Sequence, residues 1–211
     1  MKKIILQLCA DTGSDTKPWK DAWYEVILIW KDIWVENYHP PKNVYWIIAN
    51  PPCTNFSSVR TSAKIPRDEE EWMRLVRECQ RIIEEANPIF RVIENPATWL
   101  LKKYLWPPKF IYQPWEFWSP RTKKTALRWE FNIPQKIYNR REDVPKNNNL
   151  YIRPWRTKPG MVYLHKSSIK YIPEFSCFNV DSDMELRSLC SQWFAKEFYN
   201  VNRPKWPTTK R

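Results

Sequence analysis

Apolar runs of strand length alternate along this chain with polar, turn-forming breaks, and they set the first expectations. IILQLC (4–9) breaks into Ala10-Asp11-Thr12-Gly13-Ser14, which predicts a buried strand, a small Gly-containing turn and then a helix. Ser14 or Asp15 is expected to cap that helix, with Pro18 in its first turn, where a missing N–H costs nothing. YEVILI (24–29) predicts a second strand. NVYWIIANPPCTNFS (43–57) is an apolar run heading into Pro51-Pro52-Cys53, a buried strand stopped by a stiff turn that presents a thiol. A polar loop over 59–67 follows. DEEEWMRLVRECQRIIEEANP (68–88) then has the helical period. Trp72, Leu75, Val76, Cys79, Ile82 and Ile83 make one apolar stripe, the first turn is acidic, and Asn87-Pro88 stops it.

PIFRVI (88–93) predicts the next buried strand, and it ends in Glu94-Asn95-Pro96. FWSPRTKKTALRWEF (117–131) predicts a basic loop running into a strand. Residues 132–183 are polar, Pro-rich and basic, and read as a small insertion or mobile arm with Asn147-Asn148-Asn149 at a loop tip. MELRSLCSQWFAKEFYN (184–200) has a helical pattern, and the tail beyond it is expected to lack fixed structure.

Strand, helix, strand, then strand, helix, strand is the order of a doubly wound α/β fold with a mostly parallel sheet. At 211 residues one domain suffices. Residues 1–134 are expected to be its core, 135–183 a small irregular insertion, 184–200 a helix packed on the core, and 201–211 a tail. In open sheets of this kind ligands sit at the carboxyl edge. The turn over 8–14, Cys53 and Glu94 all fall there. A right-handed crossover places the strand before Cys53 beside the strand before Glu94, so thiol and carboxyl could face one pocket. An acid after the second strand commonly holds ribose hydroxyls in such folds, and Asp32 is the nearest carboxylate. Taken alone, Pro-Pro-Cys fits an inert buried thiol equally well, and a strand-end Glu fits a helix cap.

Charge narrows the partner. The chain carries 35 Lys+Arg against 23 Asp+Glu, a net charge of +12, which favours a polyanion such as nucleic acid over a merely basic surface. The five Cys are scattered with no CxxC pair, so neither a metal site nor a disulfide frame is expected; reduced thiols in a cytoplasm are. MKKIILQLC reads as a first strand rather than a signal peptide, and no apolar segment approaches membrane-spanning length.

The order of motifs resembles the DNA cytosine (carbon-5) methyltransferases, particularly the short phage and bacterial members. LCADTGS resembles their cofactor loop, PPCTNFS the catalytic loop, ENP the acid motif, FWSPRTKKT the Tyr-Gly-x-Pro-Gln-x-Arg-x-Arg element, and LRSLCSQWFAKEF the last helix. The resemblance implies a class I, Rossmann-like fold, S-adenosylmethionine as cofactor, DNA with a flipped-out cytosine as substrate, and a monomer. Leu8, Cys9, Ala10, Asp11, Thr12, Gly13, Ser14, Asp32 and Pro51 would then bind the cofactor. Cys53 would attack carbon-6, Glu94 would contact ring nitrogen 3, and Pro52 and Asn95 would complete the catalytic set. Ser57, Arg60, Arg121, Lys123 and Arg128 would meet nucleic acid, and residues 135–183 would form a target-recognition arm. The chemistry suits the residue types, since carbon-5 is nucleophilic only after a thiolate adds at carbon-6. A neighbouring carboxyl stabilises the resulting enamine. The sequence departs from the family at Gln7, where an acid is usual, at Asp11, and at Arg121, Lys123 and Thr125, which replace Gln, Arg and Arg. A catalytically impaired relative that only binds nucleic acid, and the same chemistry on RNA, stay open.

One count is abnormal: 2 Gly and 14 Trp. Together they make about 8% of the chain, near the roughly 7% that glycine alone contributes to ordinary proteins. Trp23, Trp46, Trp99, Trp118, Trp129 and Trp193 stand where the family or a turn wants glycine. The expectation is that many Trp are UGA codons meant as glycine. A truly Trp-rich protein with indoles stacking on bases is the alternative.

Overall fold

The computed structural model describes residues 2–10, 12–30, 34–52, 68–97, 103–119, 121–145, 169 and 172–204, without the side chains of Trp72 and Met184. In chain order the elements are β1 (Ile4–Leu8), α1 (Lys17–Asp21), β2 (Glu25–Ile29), β3 (Val44–Ala49), α2 (Glu69–Ala86), β4 (Phe90–Pro96), β5 (Phe110–Tyr112), β6 (Thr125–Glu130), α3 (Asp183–Ser188) and α4 (Gln192–Asn202).

The strands form one six-stranded sheet in the order β2-β1-β3-β4-β6-β5. Neighbours among β2, β1, β3 and β4 are parallel, while β6 runs antiparallel to both β4 and β5. Among the described strands only β6 is therefore reversed. All six β3 residues are buried, as a strand covered on both faces requires. Val76, Cys79, Ile82 and Ile83 of α2 cover one face, meeting Leu6, Leu8, Ile47, Ala49 and Ile93. Trp19 of α1 with Phe194 and Phe198 of α4 covers the other, against Ile5, Trp46, Ile48, Val92 and Leu127. This is a mixed α/β, mostly parallel, three-layered architecture, compatible with a Rossmann-like fold. No helix among the described residues is long and apolar enough to cross a membrane.

Local chemistry explains the boundaries. Asp68 caps α2, accepting from the Glu71 N–H at 2.9 Å, and Asn87 ends it in a left-handed turn at φ 42. The expected α1 cap is different. Its N-cap is Thr16, whose hydroxyl is engaged with Gln7 Oε1 and makes no cap bond, while Ser14 and Asp15 bond elsewhere. The single helix expected over 184–200 is two. Leu189 is extended at φ −52, ψ 138, and Ser191 starts a new helix by accepting from the Phe194 N–H. β5 carries no alternation long enough to predict it; Tyr112 stacks on Phe194 at 3.7 Å between ring centroids. Part of the expected insertion also joins the body. Ile172, Phe175 and Val180 pack with Leu186 and Leu189 in a small separate cluster. Glu174 accepts from the Gln192 N–H at 2.8 Å and from the hydroxyls of Ser119 and Ser191.

Candidate functional site

The strand order reverses at β1: β2 lies on one side of it and β3 on the other. In open α/β sheets ligands bind outside the carboxyl ends of the strands that flank such a switch point, here β1 and β3. The expected cofactor turn begins there. Leu8 is fully buried and its carbonyl accepts from the Asn50 N–H at 3.0 Å, while the Cys9 N–H donates to Ile29 O at 2.8 Å. Cys9 turns at φ 57, Ala10 is buried, and Gly13 turns again at φ 65. A Cβ on Gly13 would come within 3.2 Å of Leu28 and would have to adopt a strained backbone. Thr12 accepts weakly from the Ser14 N–H at 3.4 Å. Ser14 is buried and its hydroxyl accepts from the Cys190 N–H at 3.0 Å, fastening the turn to the start of α4.

A chain of side-chain hydrogen bonds crosses the ends of β1, β3 and β4. Gln7 Nε2 lies 3.0 Å from Asp15 Oδ2 and 3.3 Å from Asn50 Oδ1, donating to both. Asn50 Nδ2 donates in turn to Glu94 Oε2 at 3.2 Å. Thr16 Oγ1 donates to Gln7 Oε1 at 2.6 Å, so the Gln7 amide is fixed in orientation. Lys123 Nζ stands 3.8 Å from Glu94 Oε1 and donates to Ser188 O at 3.1 Å. Asn95, 1% exposed, donates from Nδ2 to Pro51 O at 3.3 Å. The loop entering Pro52 is thereby tied to the Glu94-Asn95 strand end.

Electrostatics follow from that crowding. Burial first, and Glu94 second, push the Asp15 carboxyl up to about 6, against the opposing pull of Lys123. Burial likewise raises the Cys190 thiol well above its ordinary range, with Asp15 adding to it. Cys79 is raised chiefly by its contact with Cys9, whose sulfur is 3.7 Å away, and then by burial.

The expected residues thus divide. Leu8, Cys9, Ala10, Thr12, Gly13, Ser14, Pro51, Pro52, Glu94, Asn95 and Lys123 come to one edge. Cys53, Asp11, Asp32, Ser57 and Arg60 lie outside the described residues, with Pro52 the last one before Cys53. Two expectations for nucleic-acid contact are corrected. Arg121 is 3% exposed, donates from Nη2 to Leu189 O at 2.7 Å and lies over the Phe175 ring. Arg128 is also 3% exposed and donates from Nε to Trp106 O at 2.8 Å; burial lowers its pKa. Both guanidinium groups are enclosed by protein rather than turned to a phosphate. Gln7, Asp15 and Asn50 were not anticipated as site residues. A Gln inside the apolar run IILQL was the available signal, because a buried amide must find partners.

No protein-family model matches the chain, and no curated protein matches it significantly.

Proposed function

We propose that this chain is an S-adenosylmethionine-dependent methyltransferase of class I, Rossmann-like architecture that acts on carbon-5 of cytosine in DNA. The observation that carries the reading is the hydrogen-bonded chain Asp15–Gln7–Asn50–Glu94. It joins the turn, the Pro-Pro-Cys approach and the acid-bearing strand end, three elements that the resemblance treats as one site. The residues present fit the cofactor. Its ammonium and sulfonium groups are cationic, and this edge carries the Asp15 and Glu94 carboxyls near the switch point between β1 and β3. Residues 8–14 and Pro51 would hold it, with Asp32 for its ribose. Bound there, it supplies an electrophilic methyl group.

The chain's own residues do the rest. The Cys53 thiolate forms a bond to carbon-6, making carbon-5 nucleophilic. Glu94, with Oε2 anchored by Asn50 and Oε1 facing Lys123, meets ring nitrogen 3 and stabilises the enamine. Loss of the carbon-5 proton after methylation lets the carbon–sulfur bond break and restores the thiolate. In duplex DNA the cytosine must leave the stack to reach this edge. The net charge of +12 favours the polyanion, with surface cations other than Arg121 and Arg128 meeting phosphates.

Transfer of tritium from labelled cofactor to DNA and to RNA, with Cys53→Ala and Glu94→Gln controls, tests the reading. Label on DNA that disappears with Cys53→Ala supports it. Label that survives Cys53→Ala refutes the covalent route. Label on RNA alone favours the RNA substrate, and salt-sensitive DNA binding without any transfer favours the binding-only relative.

A further inference from the structure

Among the described residues, six that are not glycine have φ in the positive range: Cys9, Trp23, Asn43, Asn87, Trp118 and Trp129. Asn43 and Asn87 are of the type that tolerates the left-handed conformation. Half of the set is tryptophan, although 14 Trp in 211 residues would place fewer than one among six positions by chance.

Trp23 and Trp118 have the local setting of a glycine, and Trp129, although its ring packs on Trp106 and under Arg91, has a glycine's backbone. Trp23, at φ 64, follows the C-cap Ala22 of α1, and its N–H closes the turn on Lys20 O at 3.0 Å. That is the position past a helix end where a left-handed glycine is usual. Its indole is 85% exposed, so no packing recompenses the strained backbone. Trp118 ends the single helical turn Pro114–Phe117 at φ 68, ψ −12, and is 47% exposed. Trp129 lies inside β6 opposite Val92 at φ 96, beyond even the left-handed helical well. Gly13, the one described glycine, has the same backbone at φ 65.

We propose that residues 23, 118 and 129 are glycines in the protein as its source makes it, their codons being UGA read by a glycine-charged transfer RNA. The structure narrows the broader expectation drawn from composition. Trp46 is not among the positive-φ residues, is 1% exposed and packs on Trp19, Phe90 and Phe198, so its backbone makes no such demand. Trp193 lies within α4, and Trp99 is outside the described residues. At 118 the exchange bears on the candidate site, because the turn stands five residues before Lys123, whose Nζ faces Glu94. The inference stands independently of the proposed reaction.

Peptides spanning the three positions, from protein purified out of its own source, should have the masses of glycine at 23, 118 and 129. Tryptophan at any of them, or UGG in the gene there, overturns the assignment at that position. A recombinant comparison reads the same strain. With tryptophan at all three positions as the parent, Trp23→Gly should raise the melting temperature by about 2–4 °C or more. An unchanged or lowered midpoint would defeat the backbone argument at that turn.

Discussion

Replacing Asp15 with Asn removes a charge that the fold holds against its preference. The carboxyl moves from its ordinary 3.8 to about 6, burial being the larger cause and Glu94 the next. A carboxyl that binds its proton more tightly when folded contributes its full stabilisation below the unfolded value, near pH 4. That contribution is lost as pH climbs through about 6. At about 1.4 kcal/mol per tenfold change in proton affinity, the ionised side chain costs up to about 3 kcal/mol at neutral pH. Asp15 is only partly buried in surface terms, and solvent screening reduces the retained cost to roughly 1–2 kcal/mol. Asn keeps an oxygen for the Gln7 amide, now at 3.0 Å from Oδ2, without the charge. Asp15→Asn should therefore be more stable than the parent by roughly 1–2 kcal/mol near pH 7.5 and about equal to it near pH 4. Urea unfolding followed by far-ultraviolet circular dichroism at both pH values measures this. Equal stability near pH 7.5, or a larger advantage near pH 4, would refute the account. In a Glu94→Gln background the gain should shrink, because the second cause of the raised pKa is gone.

Three further outcomes are expected. Phe194→Ala removes a ring stacked 3.7 Å from Tyr112 in the α4-side core, and should lower unfolding free energy by about 3–5 kcal/mol in denaturant titrations. Asp68→Ala takes the cap from α2 and should cost about 1 kcal/mol in the same assay. With iodoacetamide at neutral pH, exposed Cys177 should be alkylated well before buried Cys79 and Cys190, as read by peptide mapping. Faster labelling of either buried thiol would contradict this packing.

Much of the frame was legible because it rests on local signals. The α2 stripe, its acidic first turn and Asn87 fixed that helix to within two residues of the observed Glu69–Ala86. β1 to β4 announced themselves as apolar runs ended by turn residues. What escaped was decided at a distance. β5 spans three residues and is held by β6 and by the ring of Phe194, neither of which its own sequence declares. Arg121 and Arg128 looked like surface cations because charge patterns report composition, not burial. Their carbonyl partners, Leu189 and Trp106, lie on segments that only the fold brings near. The break within 184–200 turned on Ser191, whose hydroxyl competes for the Phe194 N–H and so restarts the helix.

Gln7 connects these local and distant readings. The resembling family usually carries an acid at this strand position, where Gln7 has an amide. In the fold the Gln7 amide reaches Asp15 on one side and Asn50 on the other, and Asn50 reaches Glu94. On the proposed reading the carboxyl is displaced from the strand to the turn rather than lost. Gln7, with both ends of its amide engaged, relays position without adding charge. That arrangement also explains why Asp15 does not cap α1. An N-cap needs its oxygen turned to the helix N–H groups, whereas the Asp15 oxygen is turned inward, toward the strand ends where Glu94 stands.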